Sequence, residues 1–217
     1  LRYLAPQLSG AQDWTLVDAD RALLDAVTGP NIFAPLNVTL RQLDLMQDFD
    51  ALQFEQSDLV TASALLDLVS EGWIARLAKK CAEAKVKYGL FATSVDGRII
   101  WSPDEPEDEE IKNLFNAHMG RDKGFGPALG GAASEIAEKC FSAAGYRVFS
   151  GDTSWILSAE DAELQSHLLQ GYVQAALEQN PEMVNKIKAW AKRRADHIAR
   201  GQSTLIVGHR DVLVCLD

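Results

Sequence analysis

Residues 13–20, Asp-Trp-Thr-Leu-Val-Asp-Ala-Asp, place the first condition on the fold. A short apolar run with β-branched members, Trp14 to Val17, stops at an acid, Asp18. A helical spacing follows at once in Leu23, Leu24 and Val27, with Asp18 or Asp20 placed as the N-cap. A strand that gives way to a helix within a few residues belongs to an α/β unit. A carboxylate at such a strand end accepts two hydrogen bonds from a vicinal diol. Capping of the helix accounts for the same octapeptide equally well.

The next segments repeat the pattern. A helix over 20–28 breaks at Gly29-Pro30, and a second strand over 38–43 again ends in an acid, Asp44, followed by Leu45. Asp18 and Asp44 are one βα unit apart, so both belong on one carboxyl edge of a parallel sheet. A third strand over 57–63 ends in Thr61, Ala62 and Ser63, small residues that let a ligand approach the backbone. A tight turn capped by Ser63 explains them as well. The helix after it carries Leu65, Leu66, Val69, Trp73 and Leu77.

Residues 88–95 form the next strand, and Asp96-Gly97 predicts a two-residue hairpin with 98–101 returning. The acidic run 104–110 reads as a solvated loop and helix start. Its helix carries Ile111, Leu114, Phe115 and His118. The glycine-rich loop 121–127 has the composition of a functional lid. A further helix ends at Gly145, and β-rich segments follow at 146–149 and 153–157. Ser158 and Asp161 resemble a capping box opening a long helix. Asn180-Pro181 begins another helix, with Asn180 as cap. Its Lys192, Arg193, Arg194 and Arg200 read as a solvated face. The last strand region, 203–207 and 212–215, is interrupted at 208–211. At the other end, residues 1–8 read as the end of an amphipathic helix stopped by Ser9-Gly10.

Charge and cysteine content narrow the class. A net charge of -10 and pI near 4.9 argue against a nucleic-acid or anionic-membrane surface. No apolar run approaches membrane-spanning length. Cys81, Cys140 and Cys215 are odd in number and widely spaced, which suits reduced thiols and a cytoplasmic location. The histidines and cysteines show no zinc spacing, so no metal site is expected. No Gly-x-Ser-x-Gly elbow and no phosphate loop are present.

The order strand-Asp, helix, strand-Asp-Leu, helix, strand-Thr-Ala-Ser, helix, strand, helix, Ala144-Gly145-Tyr146, strand, strand resembles the class I S-adenosylmethionine-dependent methyltransferases over nearly the whole chain. The resemblance implies an α/β, Rossmann-like three-layer sandwich. Its sheet would be mostly parallel, in the order 3-2-1-4-5-7-6, with an antiparallel C-terminal edge pair. It implies one domain over 1–217 with a helical insertion at about 159–201. It assigns Asp18 and Ala19 to the ribose, Asp44 and Leu45 to the adenine, and Thr61, Ala62 and Ser63 to the methionine part and the methyl acceptor. The cofactor is then S-adenosyl-L-methionine.

A small-molecule acceptor suits an acidic chain better than nucleic acid does. His118, Asp122 and His209 are the candidate bases or acceptor-orienting groups. The inserted helices are expected to cap the acceptor pocket or to make a homodimer contact. The family's glycine-rich loop is not in this text, and residues 1–8 match the helix that follows it. An upstream strand and glycine loop are therefore expected in the natural protein, since interior strand edges would otherwise be exposed. Two other readings compete: a methyltransferase-like module that binds without turnover, and a nicotinamide-dependent oxidoreductase. The antiparallel pairing expected between 146–157 and 203–215 argues against the latter.

Overall fold

A computed structural model describes residues 1–27 and 36–217. The expected break at Gly29-Pro30 lies outside the described residues. The chain divides into two compact units, Leu1–Gln53 and Phe54–Asp217.

The first unit is a βαβ core. Strand β1 (Gln12–Asp18) pairs in parallel with β2 (Leu36–Gln42), from Gln12 opposite Leu36 to Asp18 opposite Gln42. Helix α1 (Arg21–Val27) lies between them in sequence and buries Leu24. Residues 1–8 do not form the end of an α-helix. They hold one 3-10 turn, Ala5–Gln7, with Pro6 in its first positions. The Gln12 amide donates to the carbonyls of Ala5 (3.0 Å) and Leu8 (2.8 Å), which holds the turn against the start of β1. Gly10, at φ +92°, then redirects the chain.

The second unit is built on a sheet in the order β3-β4-β7-β5: β3 (Leu59–Ser63), β4 (Tyr88–Ser102), β5 (Arg147–Asp152) and β7 (Thr204–Cys215), with β6 (Trp155–Leu157) also on β7. Strands β3 and β4 are parallel, and β7 runs antiparallel to β4, β5 and β6. In the class I methyltransferase order, the two sheets read as 3-2 and 4-5-7-6.

Paired residues on neighbouring strands share a face. Phe91 is opposite Val212, and both are buried on the side where α2 (Glu71–Glu83) packs with α4 (Ala133–Ala143). There Phe141 meets Phe91 and Tyr146, with ring centroids 5.0 and 5.4 Å apart. Further along, Ile99 and Trp101 of β4, Leu157 of β6, and Leu205 and Val207 of β7 form a second core. They pack with α3 (Asp108–Met119), α5 (Ala162–Gln179) and α6 (Val184–Ala199). The helices α5 and α6 lie within 159–201, between β6 and β7. The Ser158–Asp161 capping box is present.

Several local expectations are corrected. Asp96-Gly97 does not close a hairpin, because β4 runs on for 15 residues against β7. The pairing slips between Val95 and Ile99, and Gly97 takes φ +84° inside that bulge. Asp96 folds over the partner strand: a Cβ at Gly208 would lie 1.9 Å from its Oδ1. Gly208 is therefore the fit for the bulge, and β7 is continuous where an interruption was expected. Ser63 does not cap the next helix. A 3-10 turn, Leu66–Leu68, intervenes, and Ser70 caps α2 by accepting from the Trp73 amide. Asn180 makes no side-chain cap. Pro181–Met183 form a 3-10 turn before α6.

Lys192 and Arg200 stay exposed as expected, but Arg193, Arg194 and His197 leave solvent to bind Glu105, Glu107 and Asp108 of the acidic run. Arg194 is fully buried, donates from Nη1 to Pro103 O (2.6 Å) and from Nε to Asp108 Oδ1 (3.0 Å), and lies 5.1 Å from the Trp101 ring. Asp108 also accepts from Trp190 Nε1 (2.8 Å) and the Glu105 amide (2.8 Å). Arg193 pairs with Glu105 and Glu107, and His197 meets Glu105 at 3.0 Å. A stripe of one residue per turn, Ile187, Trp190, Arg194 and Ile198, carries this latch into the core.

Candidate functional site

The parallel pair of the first unit ends in its two acids. Asp18 closes β1, and its carbonyl accepts from the Leu43 amide (3.1 Å) just beyond β2. Its Oδ1 accepts from the Asp20 amide (2.8 Å), and Asp20 in turn accepts from the Ala22 amide (2.8 Å). Asp20 is therefore the helix cap, and Asp18 forms the turn ahead of it. Asp44 repeats the device: its Oδ1 accepts from the Met46 amide (2.8 Å), and its amide donates to Asp48 (3.0 Å). The two acids lie at one carboxyl edge. Each commits Oδ1 to its own turn, a use that rigidifies the carboxylate while the second oxygen retains acceptor capacity. Ala19 receives the Gln42 amide on its carbonyl (3.0 Å), and Leu45 follows Asp44 in the second turn.

In the second unit, Thr61, Ala62 and Ser63 end β3 beside β4, with Ser63 opposite Ala92. Two non-glycine residues at this edge occupy the left-handed region, Ala64 at φ +51° and Thr93 at φ +59°. For β-branched Thr93 that backbone is costly and needs external support. Asp211 of β7 supplies it. Asp211 Oδ1 accepts from the Thr93 amide (2.8 Å) and from Thr153 Oγ1 (2.9 Å), and Ser63 Oγ donates to Thr93 Oγ1 (3.1 Å). Beside it, Arg98 bridges Asp96, Asp152 (2.6 Å) and Ser154 (3.1 Å) across the bulge. Hydrogen bonds from Ser154, then from Arg98, hold the Asp152 carboxyl below the usual range.

The three candidate bases fall in different places. His118 lies on α3, its Nε2 2.9 Å from Glu178 of α5. Asp122 uses Oδ1 to accept from the amides of Gly124 (2.7 Å) and Gly126 (3.1 Å), so it shapes the 121–127 loop. His209 alone is on the sheet. It is buried on β7, donates from Nδ1 to Val207 O (3.0 Å), and its ring lies 4.5 Å from that of Trp155.

Asp67 escaped the sequence reading. It sits in the 3-10 turn after β3, only 5% exposed, and no donor among the described residues reaches its Oδ1. Burial raises its pKa; its own amide, Lys123 and His209 oppose that shift. A signal was available: the acid interrupts an apolar run, Leu65-Leu66-Asp67-Leu68-Val69. Among the described residues no cluster of metal-ligating side chains is found, and no helix is long and apolar enough to cross a membrane.

No protein-family model and no curated protein matches this sequence. Solved structures do match. The cyclopropane-fatty-acyl-phospholipid synthase-like protein from Lactobacillus casei is 12% identical, with 94% of this chain and 84% of that chain covered and a TM-score of 0.51. The YcgJ protein from Bacillus subtilis (12%, covering 95% and 92%, TM-score 0.46) and the cyclopropane synthase MmaA2 from Mycobacterium tuberculosis (9%, covering 94% and 77%, TM-score 0.45) also match. At 12% identity the likeness to the Lactobacillus casei protein is one of fold alone, the class I methyltransferase fold.

Proposed function

We propose that this protein transfers a methyl group from S-adenosylmethionine to a small-molecule acceptor. The observation that carries the reading is the edge formed by Asp18 and Asp44, two turn-fixed carboxylates at the ends of adjacent parallel strands. A carboxylate with one oxygen held by its own backbone is preoriented, and its second oxygen suits ribose hydroxyls. The antiparallel run β4-β7-β5 supports a methyltransferase over a nicotinamide-binding domain.

Asp18 and Ala19 would hold the ribose, Asp44 and Leu45 the adenine, and Thr61, Ala62 and Ser63 the methionine part. When bound, the cofactor supplies an electrophilic methyl on a sulfonium. The chain then has to orient the acceptor, exclude water and take a proton. The helices α5 and α6 are proposed as the cap over the acceptor. The net charge of -10 supports a small acceptor over nucleic acid.

Calorimetry on the full-length protein tests this reading, with S-adenosylhomocysteine and NAD as separate titrants. Binding of S-adenosylhomocysteine at about -8 kcal/mol, a micromolar Kd, with NAD silent, is expected. Binding of NAD alone would support the oxidoreductase instead.

A further inference from the structure

The pairing of β4 with β7 slips beside the end of β3. Phe91 stands opposite Val212 and Ser94 opposite Arg210, so two residues of β4, Ala92 and Thr93, face one residue of β7, Asp211. This is a β-bulge, separate from the one at Gly97, and a bulge re-aims a side chain or ends pairing with a neighbour. Here the parallel ladder with β3 stops. It runs to Ser63 opposite Ala92, and the Ala64 amide donates to Ala92 O (3.0 Å). Both chains then turn through the left-handed region, β3 at Ala64 and β4 at Thr93.

A bulge with a left-handed residue ordinarily seats glycine there. Thr93 carries a branched Cβ that resists this backbone, and strain of that kind points to a function for the side chain. Thr93 Oγ1 accepts from Ser63 Oγ (3.1 Å), a contact that glycine would not make. Because Ser63 commits its proton to Thr93, its oxygen presents lone pairs, which suit the ammonium of an amino acid. Asp211 holds Thr93 from the other side. Its Oδ1 accepts from the Thr93 amide (2.8 Å), across 118 residues of sequence, and from Thr153 Oγ1 (2.9 Å). The chain of contacts is therefore Thr153 and Asp211 to the Thr93 backbone, and the Thr93 hydroxyl to Ser63.

We infer that Asp211 is a positioning residue for the S-adenosylmethionine site. It pins Thr93 in the bulge, and Thr93 fixes the Ser63 hydroxyl as an acceptor for the amino-acid arm of the cofactor. The inference rests on the methyl-transfer reading above, which assigns Ser63 to the methionine part. Asp211 acts through Thr93 and takes no proton in the reaction.

The test is calorimetry on the full-length protein with two titrants, S-adenosylhomocysteine and 5′-methylthioadenosine, which keeps the nucleoside and lacks the amino-acid arm. Asp211→Ala should weaken S-adenosylhomocysteine about tenfold or more and leave methylthioadenosine unchanged. Asp211→Asn, whose side-chain oxygen still accepts both bonds, should restore most of the affinity. Thr93→Val keeps the branched side chain and the amide bond to Asp211 but removes the acceptor for Ser63. It should reproduce the selective loss, and it carries the test if Asp211→Ala does not fold. Ser63→Ala should cost much less affinity in the Asp211→Ala background than in the parent, since both changes break one chain of contacts. Equal weakening of the two titrants would make Asp211 a general structural residue and overturn the inference. Unchanged S-adenosylhomocysteine binding in Asp211→Ala or Thr93→Val, or full additivity of Ser63→Ala with Asp211→Ala, would also overturn it. Absence of S-adenosylhomocysteine binding by the parent would instead overturn the methyl-transfer reading itself.

Discussion

Asp108 and Asp67 are both acids drawn into the second unit, and they are treated in opposite ways. Asp108 accepts from Arg194, Trp190 and the Glu105 amide, so its charge is balanced and its oxygens are occupied. Asp67 is the more buried of the two, and one of its oxygens faces no donor. The first arrangement ties α6 to the β4–α3 connection. The second stores an unmet hydrogen bond beside strained backbone. A buried charge whose partners are all in place ties elements together, whereas a buried oxygen without a donor costs stability.

Substitutions should separate the two acids clearly. Arg194→Met should have the largest effect. It strips Asp108 of its cation inside the core, and about 3–5 kcal/mol of stability should be lost in urea unfolding. A loss below about 1 kcal/mol would mean that the latch is a surface pair in effect. Phe125→Ala comes next. Loss of the edge-on contact with Trp73 should cost about 0.5–1.5 kcal/mol, and hydrogen exchange should quicken in 121–129 without reaching α6. Thr93→Gly should act in the opposite direction. Relief of the left-handed backbone should add up to about 1 kcal/mol, provided Asp211 keeps the amide.

Asp67→Asn should change stability least, and its pH dependence is the sharper observable. The folded-state pKa of Asp67 is raised, so folding favours its protonated form. That contribution is present below the ordinary carboxylate range and is lost as pH rises through the raised value. The stability of the Asn variant relative to the parent should therefore improve from pH 4 toward pH 7. A variant that loses ground over this interval would place Asp67 with Asp108, as a structural acid.

The same contrast marks what could be read from the residues alone. The strand ends at Asp18 and Asp44 were legible because each apolar run and the acid that follows it are adjacent in sequence. The helices α5 and α6 were legible from their period and from the Ser158 box. Asp96-Gly97 misled because a turn-forming pair is local information, and the choice between hairpin and bulge depends on β7, more than 100 residues later. Arg194 read as solvated because its neighbours Lys192 and Arg193 are charged. Its spacing of four from both Trp190 and Ile198 placed it on the buried stripe. The acidic run 104–110 gave no hint of its partner, since the pairs join residues 86–92 apart. Asp67 was passed over inside an apolar run, where it was the anomaly to pursue.

The most direct test of the account is a calorimetric titration of S-adenosylhomocysteine into three forms of the full-length protein: the parent, Asp18→Ala and Asp67→Asn. The account assigns Asp18 to the cofactor and gives Asp67 no part in holding it. It predicts micromolar binding by the parent, at least tenfold weaker binding by Asp18→Ala (about 1.4 kcal/mol), and parental affinity in Asp67→Asn. No binding by the parent, or binding that is indifferent to Asp18 and lost with Asp67, would contradict it.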